Sequence, residues 1–179
     1  NIAISYYYLD IIQKQKQYNE QINNYADKAL LYDPKSDLSL IAKALYYMYN
    51  DEYRLALPHL EKALEYNPNS SAVVQLLSML YANYIPDTGQ ALKYALMGVQ
   101  LDIAANDSIG KSYIYLSLSN ALIQNGFPEQ ALGYIDKSLD YHTKNPYAPY
   151  LKTLILFTKD SDIERTTRLL EREWQKDTT

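Results

Sequence analysis

The sequence predicts an all-α chain made of stacked antiparallel helix pairs, about four to five of them. Three observations carry this. The stretch "KALLYDPKS" at 28–36 returns as "KALEYNPNS" at 62–70, setting Ala29 and Ala63, and likewise Pro34 and Pro68, 34 residues apart. Apolar residues between these stretches recur three and four positions apart, the period of one helix face. The chain has only 5 Gly, in keeping with long helices, whose interiors Gly weakens.

The repeat units are expected at about 3–36, 37–70, 71–105, 108–145 and 146–176, forming one solenoid domain over 1–179. The second unit is the clearest, with helices predicted over 37–50 and 53–66. In its second helix Ala56, Leu60 and Ala63 share a face. The two Ala let a neighbouring helix approach closely, and Leu60 fills the space between them. Asn67-Pro68 ends the helix, because the proline ring disfavours a helical residue before it. Pro58, inside that helix, removes one backbone bond and predicts a kink.

Further along, Pro128 stands where a first helical turn tolerates proline, and "NGF" at 125–127 reads as an inter-helix turn. The insert "AANDSIGK" is expected to lengthen the helix after it. A fifth pair is expected at 146–158 and 162–175, with Glu164 and Arg168 paired at i,i+4. A hairpin of this kind cannot bury its apolar face alone, and stacking buries it, so the unit recurs.

These residues resemble the tetratricopeptide repeat (TPR) family. Leu40, Ala44, Tyr47, Ala56, Leu60, Ala63 and Pro68 match its motif, with Lys43 in a Leu slot as a departure. Tyr6, Leu9, Ala29 and Pro34 match upstream, where Asp10 and Gln13 do not. Val74, Leu77, Ser78, Tyr81, Ala91 and Gly98 fit after one extra residue in "NYIPDTG". Tyr115, Leu118, Ser119, Leu122, Gly126, Ala131 and Ile135 make a fourth unit, with Ser138 in the last small slot. The resemblance implies a right-handed superhelical solenoid with a concave face formed by first-helix residues.

Carried onto this chain, that groove is lined by Tyr7, Ile11 and Lys14, then Ile41, Leu45, Met48 and Tyr49. Gln75, Met79 and Asn83 follow, and then Tyr113, Leu116, Asn120 and Gln124. The lining is apolar, aromatic and Met-bearing. Family members that hold chaperone tails clamp a carboxylate with cations. Tyr7, Ile11, Leu45, Ala72 and Leu76 occupy those slots here, so chaperone-tail binding is not expected. An apolar or aromatic peptide, or a partner helix, fits the lining better. The alternative is that these residues bury one another or meet further segments of the same protein.

Composition narrows the function classes. The chain is 47% hydrophobic and 21% charged, a folded rather than a disordered balance. A net charge of −4 leaves no basic footprint for nucleic acid. No run approaches a membrane span, so no membrane insertion is expected. There is no Cys, hence no disulfide or thiolate metal site. The 20 Tyr against 2 Phe reflect either coding bias or surfaces that half-bury a ring and keep its hydroxyl wet.

No catalytic constellation, cofactor loop or metal-ligand spacing stands out, and the chain is read as non-enzymatic with no cofactor. His59 and His142 lack a base or ligand partner at helical spacing. Glu61, Glu65, Asp136 and Asp140 read as a solvated face. "NSS" at 69–71 and "NDS" at 106–108 match the glycosylation sequon, a tripeptide common by chance.

The last helix shows Ile163, Leu170 and Trp174 on one stripe without a polar cap, and the chain begins at Asn1. It is therefore expected to be an excised piece of a longer protein. The function expected is a protein–protein interaction scaffold, the sensory or regulatory part of a larger bacterial signalling protein. A self-associating scaffold of an envelope or secretion complex, a homo-oligomer, is the alternative. The sequence assigns no compartment, and the cytoplasm is favoured over the periplasm.

Overall fold

The structure, a computed structural model, describes residues 1–101 and 108–177. Residues 106 and 107 of the second sequon, and the first half of the "AANDSIGK" insert with them, lie outside the described residues, while 108–111 open the helix that follows. The described residues form two compact units, Asn1–Ile85 and Pro86–Thr179. The first holds α1 (Ile2–Gln13), α2 (Asn19–Tyr32), α3 (Asp37–Tyr49), α4 (Tyr53–Tyr66) and α5 (Ser71–Asn83). The second holds α6 (Thr88–Leu101), α7 (Ser108–Gln124), α8 (Pro128–Tyr141), α9 (Ala148–Asp160) and α10 (Ile163–Asp177). Within each unit consecutive helices pack on one another, the arrangement of antiparallel hairpins.

Small residues set the packing distance. Ala56, Leu60 and Ala63 on α4 are wholly buried, and burying Leu60 contributes about 2 kcal/mol. Ala3, Ala26 and Ala42 meet where α1, α2 and α3 cross, flanked by Ile4 and Tyr25. In the second unit Ala91, Ala131 and Ala148 are equally buried, as are Leu118, Ile135 and Ile155. The residues matched to the repeat motif on α3, α4, α7 and α8 are therefore core residues, save the half-buried Tyr47 and Tyr115.

The recurring phrase at 28–36 and 62–70 folds into one recurring turn. After α2 the Asp33 N–H bonds the Ala29 carbonyl at 2.9 Å, and Ser36 N–H bonds the Asp33 carbonyl at 3.4 Å. After α4, Asn67 and Ser70 make the same two bonds at 2.9 and 3.1 Å, and after α8 His142 and Asn145 make them at 3.1 and 3.0 Å. The turns inside two hairpins also match. Asn50 and Asn125 donate Nδ2 to the carbonyl four residues back, each at 2.8 Å. A left-handed residue follows each: Asp51 at φ 62° and Gly126 at φ 82°.

Pro58 sits inside α4, which continues through it to Tyr66. Its side chain is exposed, and its cost is the bond residue 58 would donate to the Arg54 carbonyl. Pro128 opens α8, and α7 is the longest described helix at 17 residues. Glu164 and Arg168 make no ion pair. Arg165 reaches back to Asp160 at 2.6 Å instead, across the turn that enters α10.

Gln13, one departure from the motif, is exposed; the others are interior or nearly so and satisfied. Asp10 is 1% exposed and receives the Tyr49 hydroxyl, the Tyr18 N–H at 2.9 Å and the Gln17 N–H at 3.2 Å. It thus fixes the turn into α2 and ties both to α3. Burial pushes its carboxyl up, but the three donated bonds outweigh that and hold it below the ordinary value. Lys43, with a side chain 12% exposed, bonds Asn23 at 2.7 Å and Asp27 at 2.6 Å across to α2. In the second unit Asn145 Nδ2 bonds Ser112 Oγ at 2.9 Å, and Ser138 Oγ bonds the Ser112 carbonyl at 2.7 Å. Each of these polar groups has a partner, which removes most of its burial penalty.

His59 stacks on Tyr47, ring centres 5.4 Å apart, and Lys43 lies 5.3 Å from the same ring. Burial lowers its pKa first, Lys43 and Lys62 lower it further, and Asp27 opposes them.

Two outcomes follow from this packing. Asp10→Asn removes the charged acceptor and turns donors toward donors, so urea unfolding at pH 7 should show a loss of about 3 kcal/mol. Because the folded carboxyl lies below its unfolded value, its contribution is complete above about pH 4 and fades as the pH falls through the folded value. An Asp10→Asn protein as stable as wild type would contradict this role. For His59 the sense is the same in a higher pH window: its folded pKa is also lowered, so the unfolded chain takes up the proton first, near pH 6.5, and stability falls as pH drops below about that value. His59→Gln should flatten this slope in thermal melts between about pH 7.5 and 5.5; parallel curves for the two proteins would refute it.

Candidate functional site

In the first unit the end of α1, the turn behind it, the end of α3 and the end of α5 enclose a hollow of about 420 Å³. Tyr7, Asp10, Ile11, Lys14, Gln15 and Lys16 contribute from α1 and its turn. Met48 and Tyr49 come from α3, Asp51 from the α3–α4 turn and Tyr53 from the start of α4, with Met79 from α5 and Tyr84 just after it. Helical periodicity brings Tyr7, Ile11 and Lys14 to one side, and α3 and α5 present Met48 and Met79 to the same space.

The aromatic rings are in mutual contact. Tyr53 and Tyr84 stack at 4.1 Å with planes 20° apart, and Tyr7 meets Tyr49 edge-on at 6.1 Å. Such pairs are more favourable than their buried area alone. Tyr49 is pinned by its bond to Asp10, and burial together with that carboxylate pushes its hydroxyl pKa up. Tyr53 donates to Asp51 at 2.6 Å; this bond first, and burial second, push its pKa up to about 12. Burial raises Tyr7 as well, helped by Tyr8 and Tyr84. These hydroxyls stay protonated near neutral pH, so the wall offers π faces and O–H groups rather than charge.

The charges around the hollow balance. Lys16 Nζ donates to the Tyr49 carbonyl at 2.9 Å, lies 3.8 Å from Asp51 and sits 5.1 Å from the centre of the Tyr49 ring. Lys14, in the left-handed conformation that ends α1, stands exposed at the margin. Two Lys thus offset Asp10 and Asp51.

Six of the sequence-derived groove residues meet here: Tyr7, Ile11, Lys14, Met48, Tyr49 and Met79. Ile41 and Leu45, 5% and 3% exposed, are packed into the core of the unit and do not line the hollow, whereas Met48 and Tyr49, scarcely more exposed at 7% and 6%, do. Gln75 is half-buried on α5 outside the hollow, and Asn83 is exposed, donating Nδ2 to the Met79 carbonyl at 3.1 Å. Tyr113, Leu116 and Asn120 are half-buried on α7 in the second unit, Tyr113 tilted against Tyr147 at 6.5 Å. Sequence reasoning missed Lys16, Asp51, Tyr53 and Tyr84, which lie on turns and helix ends outside the first-helix pattern. For Asp10 there was a signal, a carboxylate in a slot the motif leaves small.

Among the described residues no group of three or more His, Asp or Glu could hold a metal, and no helix is long and apolar enough to cross a membrane.

No family model matches the sequence, and no curated protein matches it. Solved structures do match. PilF of Pseudomonas aeruginosa aligns with a TM-score of 0.74 at 22% identity, over 96% of this chain and 76% of PilF. YrrB, described as a TPR protein with an unusual peptide-binding site, aligns with a TM-score of 0.67 at 18% identity, over 96% of this chain and 82% of YrrB. With the helix pairs, the buried small residues and the recurring turns, these likenesses establish an all-α solenoid of the tetratricopeptide-repeat fold.

Proposed function

We propose that the chain is a non-enzymatic protein–protein interaction scaffold whose first unit holds an apolar or aromatic peptide segment. The observation that carries this is the hollow walled by Tyr7, Tyr49, Tyr53, Tyr84, Met48 and Met79, with balanced charge at its edge. Clustered aromatic rings supply large contact area at little entropic cost, and thioethers adapt to varied side chains. The peptide-binding site described for YrrB supports this reading for a chain of the same fold. In this reading the region is the sensory or regulatory part of a larger bacterial signalling protein.

A second reading, a scaffold that associates with itself, draws on α1, where Ile2, Tyr8, Ile11 and Ile12 are 56%, 55%, 53% and 77% exposed.

Panning a random-peptide phage library on the immobilised chain tests the first reading. Recovered peptides should be enriched in aromatic residues and leucine. Their affinity should fall by about tenfold or more in Met79→Glu and in Tyr84→Ser, both still helical by circular dichroism. Recovery of no enriched sequence, or binding indifferent to both substitutions, would overturn it. A dimer by light scattering that Ile12→Glu converts to a monomer would favour the second reading.

A further inference from the structure

The second unit contains a larger hollow, about 680 Å³, formed by the end of α8, the turn into α9, α9 as far as Leu156 and the middle of α10. Its chemistry differs from that of the tyrosine-lined hollow. Leu139, Leu156 and Leu169 supply an apolar surface. Around it stand Lys144, Lys152 and Arg172 against a single carboxylate, Glu173, in a chain whose net charge is −4.

Two of these cations are held in place. Lys152 pairs with Asp136 at 2.6 Å, and Arg172 Nη2 pairs with Glu173 at 3.3 Å. These pairs occupy part of each donor set, since an ammonium has three N–H groups and a guanidinium five. Lys144 has no ion-pair partner among the described residues. The hollow therefore combines an apolar surface with cations already positioned and donors to spare.

We infer that this hollow is a second peptide site, one for an acidic-apolar segment whose Leu or Phe side chain enters it while a neighbouring carboxylate meets Lys144 and Arg172. Charge complementarity selects this occupant over a purely apolar one, because a neutral peptide would cover Lys144 without pairing it and leave the spare donors of Arg172 unmet. The site uses only second-unit residues and does not depend on the tyrosine-lined hollow.

The test uses a fluorescein-labelled hexapeptide alternating leucine or phenylalanine with aspartate, and a control with asparagine for each aspartate, in fluorescence anisotropy with the whole chain. The acidic probe should bind, with affinity falling as salt rises, and the control should bind at least about tenfold more weakly. Lys144→Glu, an exposed change that breaks no ion pair, should weaken the acidic probe by a similar factor; Arg172→Gln should do likewise. Met79→Glu in the first unit should leave this binding unchanged. Equal affinity for the two probes, or binding that survives both second-unit substitutions in helical protein, would overturn the inference. So would light scattering that shows a dimer dissociated by Lys144→Glu, which would make a second copy the occupant.

Discussion

The fold depends on how closely its helices can approach. An amphipathic helix of thirteen or fourteen residues cannot bury its apolar face alone, and a neighbour buries it fully only where the crossing point carries small side chains. Ala26, Ala56, Ala63, Ala91, Ala131 and Ala148 are such points, and all are wholly buried. Around them Leu60, Leu118 and Ile135 fill the remaining space in interiors packed like organic crystals. A larger side chain at any of these alanines would push two helices apart.

Against that background the polar departures have a common form. Asp10, Lys43, Ser112, Ser138 and Asn145 occupy interior or nearly interior positions, and each bonds a group on another helix or an adjoining turn. Satisfied polar contacts of this kind add little net stability, but a misregistered helix would leave their partners buried and unpaired. They act as registry pins. Asp10 does this in the first unit by joining α1, the turn into α2 and α3. The Ser112–Ser138–Asn145 network does it in the second, joining α7, α8 and the turn into α9.

The abundant tyrosines belong to the same economy of surfaces. Tyr6, Tyr18 and Tyr25 pack together with rings half-buried, and so do Tyr115 and Tyr134, with Tyr141 more exposed beside them. Lys137 lies over two of these rings, 4.9 Å from Tyr134 and 5.7 Å from Tyr115. Amphipathic rings let a thin two-layer packing use side chains that are apolar on one face and wet at the tip. The two hollows draw on this differently: one is aromatic with balanced charge, the other aliphatic with Lys144 as a cation outside its ion pairs.

The sequence by itself determined the helices, their pairing and the core positions. Those features are local and periodic: a 34-residue recurrence, small residues three and four apart, and prolines that end helices all act within one or two turns. Six of the site residues were legible for the same reason, since Tyr7, Ile11, Lys14, Met48, Tyr49 and Met79 follow the first-helix pattern. Tertiary structure alone decided that Ile41 and Leu45 are spent on the core, that Tyr53 and Tyr84 stack from different helices, and that Asp10 is a buried acceptor. Each of those depends on contacts between residues far apart in the chain, and the period of a single helix carries no record of which neighbour covers which face.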